Sequence, residues 1–154
     1  MKKKAERKSI TRLEIVKIRE ATEPYGQAVR SSRCVNDLAA AAIWRRGEPP
    51  TEEFWVVVMN TKNRVLGVSM VAKGSINECP ISPREVFTPA MLSSGAAVIL
   101  IHNHPSGDPS PSSEDRLVTI RMCEAGRLLG IKVLDHVISA GPRYFSFKDE
   151  GIIG

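Results

Sequence analysis

The sequence predicts an α/β fold in which helices cover both faces of a mixed β-sheet, a three-layer α/β/α sandwich. Apolar stretches of strand length alternate along the chain with segments of helical periodicity, the order that is typical of α/β domains. Two pairs of predicted strands are separated only by short turns, which adds antiparallel hairpins to the sheet. With 154 residues and 42% hydrophobic content, the chain is long enough for one compact domain with its own core.

The first predicted elements are a helix and a hairpin. Residues 32–46 favour a helix, because Leu38 precedes a run of four alanines and a Gly-Glu-Pro-Pro sequence ends the segment. The aromatic and β-branched residues 54–59 predict a buried strand. Residues 65–72 predict its antiparallel partner across a polar turn.

The middle of the chain predicts a helix followed by a strand. The sequence Ser-Pro-Arg-Glu that begins at Ser82 has the pattern of a capping box with proline at the first helical position. A helix is therefore expected over residues 83–92. A Ser-Ser-Gly sequence ends it, and the apolar residues 96–102 predict the next strand.

The last third of the chain predicts a helix and two strands. The helix should begin at Ser112 or Ser113 and end at Gly130, because a core-facing stripe recurs at spacings of three and four residues. The stripe consists of Val118, Met122, Ala125 and Leu129. Residues 131–139 and 144–147 predict two strands joined by a Gly-Pro turn.

Charge and cysteine content limit the classes of function. Residues 1–30 hold nine Lys/Arg and four Glu, so the net charge of +5 belongs to this segment and residues 31–154 are balanced. We expect a basic, flexible segment over 1–30 and the folded domain over 31–154, with nucleic-acid contact weak and confined to the segment. Three cysteines without a Cys-x-x-Cys pair argue against disulfides and against zinc held by sulfur. No apolar run can span a bilayer, so a cytoplasmic protein is expected.

The most informative residues follow the strand predicted over 96–102. His102 and His104 stand two residues apart, so on a strand both imidazoles point to one face. Asp115 follows eleven residues later, across a Pro/Gly/Ser loop that can fold it back beside them. Two imidazoles and one carboxylate leave one coordination position open for water, as in catalytic rather than structural zinc sites. These residues predict a metal-dependent hydrolase.

The spacing also resembles a known family. His102, His104, Ser112 and Asp115 form the pattern His-x-His, seven residues, Ser, two residues, Asp, which is similar to the JAMM (MPN+) signature of zinc isopeptidases. The fuller strings His-Asn-His-Pro-Ser-Gly and Pro-Ser-x-x-Asp resemble the RadC-like branch, and the likeness covers residues 25–148. The resemblance implies a cytidine-deaminase-like fold and one Zn²⁺ per chain, held by the two histidines and Asp115. It also implies a metallopeptidase or isopeptidase that cleaves an amide bond with metal-activated water.

The resemblance further implies two catalytic side chains. It places a general base at the entry to the first strand, where Glu52 and Glu53 both stand; the alternation of side chains puts Glu52 on the face of Phe54 and favours it. Ser112 is either a helix cap or a hydroxyl donor that stabilises an oxyanion. His136 lies in an apolar strand and is expected to be a hydrogen-bonded core residue rather than a ligand.

Two other functions compete with this interpretation. A zinc deaminase needs His-x-Glu followed by Pro-Cys-x-x-Cys, which this chain lacks. A DNA-repair or mobile-element accessory protein of the RadC family, with a metal-binding domain and no protease role, is the alternative, although residues 1–30 leave no room for the helix-hairpin-helix domain of longer members. The sequence names no substrate beyond a peptide or isopeptide. The core is expected not to depend on the metal ligands.

Overall fold

The computed structural model describes residues 26–74 and 81–154. Every helix and strand predicted from the sequence has a counterpart in these ranges. The helices are α1 (Ser32–Leu38), α2 (Pro83–Leu92) and α3 (Ser113–Leu129), and the strands are β1 (Glu53–Met59), β2 (Val65–Lys73), β3 (Ala97–Asn103), β4 (Lys132–Ala140) and β5 (Arg143–Ser146).

The five strands form one mixed sheet in the order β2-β1-β3-β4-β5. Strands β3 and β4 are parallel, and the other neighbours are antiparallel. Helix α3 connects the parallel pair, because two strands that run in the same direction need a crossover connection. Strand β3 has partners on both sides, and all seven of its residues are buried. The side chains at its carboxyl end therefore lie in the core.

Two apolar clusters, one on each face of the sheet, confirm the three-layer sandwich. On one face, Phe54 and Leu100 pack with Phe87 of α2 and Met122 of α3. The other face packs against α1 and the residues that follow it. This second cluster includes Val35, Leu38, Trp44, Val57, Ile99, Ile101 and Val137. Because successive side chains alternate between faces, each central strand contributes to both clusters.

The first helix differs from its prediction. Helix α1 ends at Leu38, and Ala39–Ile43 continue as a π-helical turn, so the predicted α-helix over 32–46 is wrong in its second half. The backbone N–H of Trp44 donates to the carbonyl of Ala39 at 2.9 Å, and this spacing of five residues is that of a π-helix. The Trp44 side chain is buried in the second cluster, as a core residue. The wider turn lies where this indole enters the core.

The capping box predicted at Ser82 does not form. Pro83 begins α2 as expected, but the Ser82 hydroxyl makes no cap hydrogen bond. The Glu85 N–H, which a capping serine would bind, donates instead to the Ser82 carbonyl at 3.1 Å. A capping box with both of its bonds is found at α3.

The described part of the chain begins with a short pairing against β2. Gly26 N–H donates to the Val65 carbonyl at 2.8 Å, and Val65 N–H donates to the Gln27 carbonyl at 2.9 Å. The folded body thus includes residues that precede the predicted boundary at 31. The rest of the basic segment, residues 1–25, and Cys79 lie outside the described residues. Within the described ranges, no helix combines the length and the apolar character needed to cross a membrane.

Gly126 of α3 provides a test of the packing. A Cβ atom there would lie 2.4 Å from the Ile131 carbonyl oxygen and 3.1 Å from the Phe87 ring. Gly126→Ala should lower the free energy of unfolding by about 1–3 kcal/mol, as overpacked core substitutions do, despite the helix propensity of alanine. Urea unfolding measures the change. Gly67→Ala is the control, because a Cβ there meets no atom within 4 Å; equal stability of the two variants would contradict the close approach.

Candidate metal centre

The end of β3 divides its side chains between the two faces of the sheet. Asn103 is fully buried and points away from the histidines. Its side-chain oxygen accepts a hydrogen bond from the Glu53 N–H at 2.8 Å, and its amide donates to the carbonyls of Pro49 and Thr51. Asn103 thus holds the segment before β1 against the end of β3. Strand alternation predicts that Asn103 faces away from the histidines, but the sequence does not name its partners, which lie about 50 residues earlier.

Three side chains meet where β3 ends and α3 begins. The Nε2 atoms of His102 and His104 lie 3.0 Å apart. Asp115 Oδ1 lies 3.1 Å from the Nε2 of His102, and Asp115 Oδ2 lies 3.4 Å from the Nε2 of His104. The structure therefore brings together the three residues that the sequence singles out. Their ligand atoms lie within 4.8 Å of one another, so the group could hold a metal ion.

Asp115 reaches the histidines from the first turn of α3. The Ser112 hydroxyl accepts a hydrogen bond from the Asp115 N–H at 3.1 Å, and Asp115 Oδ2 accepts one from the Ser112 N–H at 2.8 Å. This reciprocal pair is a capping box. Helix capping by both residues is therefore present, and it also fixes the carboxylate of Asp115 beside the two imidazoles.

The pKa shifts of Asp115 and His104 favour a cation at the site. Burial would raise the pKa of Asp115, but hydrogen bonds with His102 and His104 outweigh it and hold the pKa far below its usual range. The hydrogen bond to Asp115 raises the pKa of His104, although partial burial opposes this. A proton or a metal ion between these groups is stabilised by the carboxylate.

The second ring nitrogen of His104 fixes its tautomer. Its Nδ1 lies 2.8 Å from the carbonyl oxygen of Asp108, which can only accept, so Nδ1 carries the proton. In the neutral ring, Nε2 then presents a lone pair to the site, as a metal ligand must. The Arg143 side chain donates to the Gly107 carbonyl and holds the same loop from β5. Sequence reasoning missed Arg143, because it lies 36 positions from its partner.

The site opens into a cleft of about 280 Å³. Its lining consists of Glu52, His104, Pro105, Ser106, Ser112, Glu114 and Asp115. Glu53 is engaged elsewhere: its carboxylate accepts the Trp55 indole N–H at 3.1 Å and pairs with Lys73 at 3.3 Å. Glu52 thus lies beside the site and Glu53 lies with the opposite cluster, as the alternation along β1 predicts.

Comparison with known proteins identifies the family. A family model described as "RadC-like JAB domain" matches residues 29–152. The chain belongs to the RadC-like JAB domain family. Similar curated proteins include UPF0758 proteins of Methanosarcina acetivorans, 49% identical over 117 residues, and of Desulforudis audaxviator, 52% identical over 101 residues. These matches cover 76% and 66% of this chain but 51% and 44% of the relatives, so the chain spans about half their length. The resemblance drawn from the sequence is confirmed.

The donor atoms of this RadC-like JAB domain have separations that fit a bound metal ion. In a tetrahedral site with bonds of about 2.0–2.1 Å, neighbouring ligand atoms lie about 3.3 Å apart. The Nε2 atoms of the two histidines lie 3.0 Å apart, close to that length. They face different oxygens of Asp115, Oδ1 at 3.1 Å from His102 and Oδ2 at 3.4 Å from His104, and with one atom per residue the three donors lie within 4.8 Å of one another. His104 and Asp115 also line the cleft, so the site is accessible from solvent.

Substitution of His104 separates metal binding from folding. His102 is fully buried and packs against Phe54, so its substitution would remove core packing as well as a proposed ligand. The His104 side chain is 13% exposed and lies at the cleft, where its removal disturbs less packing. His104→Ala should abolish tight metal binding and leave cooperative unfolding, as checked by elemental analysis after dialysis and by thermal denaturation. Ser106→Ala, another cleft residue, is the control. One metal ion per chain in His104→Ala would refute the ligand assignment.

Metal binding should weaken as the pH falls. The raised pKa of His104 means that the metal-free ring keeps its proton to a higher pH than an ordinary histidine does. A metal ion must displace that proton, so below the raised pKa the apparent affinity should fall by about tenfold per pH unit. Chelator competition at a series of pH values measures this slope. An affinity that stays constant from about pH 5 to about pH 8 would rule out protonation of the site.

Proposed function

We propose that the domain is a zinc-dependent metallohydrolase of the JAMM type, which cleaves an amide bond in a peptide or isopeptide. The observation that carries the proposal is the convergence of two imidazoles and one carboxylate, 3.0–3.4 Å apart, at a cleft that Glu52 also lines. Three protein ligands with access from solvent are the arrangement of catalytic zinc, whereas structural zinc is closed by four.

Zinc is the metal that this donor set favours. Two imidazole nitrogens and one carboxylate oxygen are a common ligand set of catalytic zinc, and in this chain the three ligand atoms lie within 4.8 Å of one another. Within the described residues, Cys34 and Cys123 are free thiols, and neither lines the cleft. A bound zinc ion supplies Lewis acidity, which polarises a substrate carbonyl and allows water to lose a proton near neutral pH.

Glu52 supplies the general base in this proposal. It lines the cleft, and its charge helps to raise the pKa of His104, after the larger effect of Asp115. Its backbone is held on both sides: the Glu52 carbonyl accepts the Gly74 N–H at 2.8 Å, and the N–H of the next residue is bound by Asn103. In this proposal, the carboxylate on this fixed backbone takes the proton of the attacking water and passes it to the leaving amine.

Ser112 supplies a donor to the developing oxyanion. Its hydroxyl oxygen accepts the Asp115 N–H, which orients the side chain at the cleft, where its O–H group also helps to lower the pKa of Glu114. A donor preorganised at the cleft stabilises the substrate carbonyl oxygen as negative charge develops there. A nucleophilic role for Ser112 is disfavoured, because both nearby imidazoles are assigned to the metal and neither can act as its base.

Substitution of the two adjacent glutamates tests the reaction. Glu52→Gln should keep zinc and reduce amide hydrolysis by about a hundredfold or more, because an amide cannot accept the proton of the water. Glu53→Gln is the matched control, since its carboxylate pairs with Trp55 and Lys73 away from the cleft. Rates are measured with zinc-loaded protein on a cleavable peptide found by library profiling.

Each outcome of this comparison has a defined meaning. Full activity in Glu52→Gln together with loss in Glu53→Gln would move the base by one residue. Full activity in both variants would exclude both glutamates as the base. Absence of cleavage across peptide and isopeptide libraries by a protein that holds one zinc ion per chain would argue against the hydrolase.

A further inference from the structure

A row of buried polar groups leads from His102 into the core. The Nδ1 of His102 lies 2.9 Å from the Nε2 of His136, and the Nδ1 of His136 lies 2.7 Å from the Thr119 hydroxyl. The Thr119 hydroxyl in turn donates to the Asp115 carbonyl at 2.6 Å. All three side chains are at most 1% exposed. The row begins at one proposed metal ligand and ends on the backbone of another.

The carbonyl at the end of the row sets the direction of every hydrogen bond. A carbonyl oxygen only accepts and a threonine hydroxyl has one proton, so Thr119 donates to Asp115 and accepts from the Nδ1–H of His136. A neutral His136 with its proton on Nδ1 has a lone pair on Nε2, which accepts from the Nδ1–H of His102. In the neutral ring of His102, the lone pair is then on Nε2, the atom that faces His104 and Asp115.

Burial and ring stacking maintain this arrangement. His136 is fully buried, and a charged imidazolium is costly away from water, so the neutral ring is favoured there. Its ring stacks on Phe147, with centroids 4.8 Å apart and planes within 9°. The His102 ring lies against Phe54, at 5.8 Å and 16°. Rotation of either imidazole would break a stacking contact together with a buried hydrogen bond.

We infer that Thr119 and His136 are positioning residues, which hold His102 in the tautomer with its proton on Nδ1 and so keep Nε2 available to a metal ion. The inference rests on the proposed function, because that function requires a metal ion at His102. In the structure the two residues contact the site through His102 and the Asp115 backbone. Outer partners of metal-ligating histidines orient the ring and fix its tautomer, usually through a carboxylate or carbonyl; here a second histidine occupies that place.

Loss of the Thr119 hydroxyl should reverse the direction of the hydrogen bond between His102 and His136. With valine at this position, a proton on the Nδ1 of His136 has no acceptor, and a buried unpaired N–H is costly. The other neutral tautomer of His136 places its proton on Nε2, where it donates to the Nδ1 of His102. His102 must then carry its own proton on Nε2, the nitrogen that the metal needs.

The tautomers can be observed directly in the unmodified protein. Long-range ¹H–¹⁵N correlation spectra of the metal-free chain, labelled in histidine and held at alkaline pH, report which ring nitrogens carry protons. The proton should be on Nδ1 in both His102 and His136. A His102 whose Nδ1 carries no proton would overturn the inference, and this measurement needs no variant to fold.

Zinc affinity of matched threonine variants provides the second test. Thr119→Val should weaken zinc binding by about 10–100-fold, the usual effect of removing an outer partner of a ligand, and should shift the His102 proton to Nε2. Thr119→Ser keeps the hydroxyl and should bind zinc as the natural chain does. Thr88→Val is the control, because the Thr88 hydroxyl makes the same bond to the carbonyl four residues earlier, at 2.6 Å, on α2. It removes an equivalent helical hydrogen bond without touching the row.

The outcomes separate this inference from the proposed function. A natural chain that binds no zinc, yet has both protons on Nδ1, contradicts the metallohydrolase and leaves the hydrogen-bond row in place. If the natural chain binds zinc and Thr119→Val binds it equally well with an unchanged tautomer, the positioning role fails while the metal site stands. A merely structural role would lower the stability of Thr119→Val without moving either readout.

Discussion

The carboxylate of Asp115 is the group on which the rest of the site depends. Its oxygens close the first turn of α3 and face both imidazoles, while the carbonyl of the same residue ends the row through Thr119. A buried carboxylate is costly unless its oxygens are paired; here the Ser112 amide binds one oxygen, and a proton shared with the two facing imidazoles can offset the remaining charge. Helix α3 therefore cannot shift along β3 without moving the Asp115 carboxylate away from the two imidazoles.

The elements of this fold follow from local patterns in the chain. The apolar runs of β1, β3 and β4 predict buried strands because their side chains fill clusters on both faces of the sheet. His102 and His104 could be assigned to one site because strand alternation alone brings them to one face, and the family resemblance adds Asp115. The predictions failed where a local pattern competes with packing: a run of alanines does not reveal the π-helical turn at Ala39–Ile43.

The contacts absent from the sequence predictions join distant parts of the chain. Asn103 binds Glu53 across 50 positions, and His136 binds His102 across 34. Each depends on strand register: in the parallel ladder His102 is opposite Ile138, so its contact with His136 runs diagonally. The periodicity of a strand predicts which face each side chain takes, but not which residues of two neighbouring strands lie opposite each other. The expected place of His136 as a hydrogen-bonded core histidine was confirmed, but its partner could not be named without the register.

The hydrogen bonds of Asn103 to the segment before β1 affect which parts of the domain can vary in sequence. Because one amide side chain binds Pro49, Thr51 and Glu53, the position of Glu52 is set by β3 and not by the residues that lead up to it. The exposed residues 45–48 can thus change in length or composition while the acid keeps its distance from the histidines. Variable loops around a rigid set of reacting groups allow one scaffold to acquire new substrates. In the proposed hydrolase, Asn103 would thus separate the position of the general base from changes in residues 45–48.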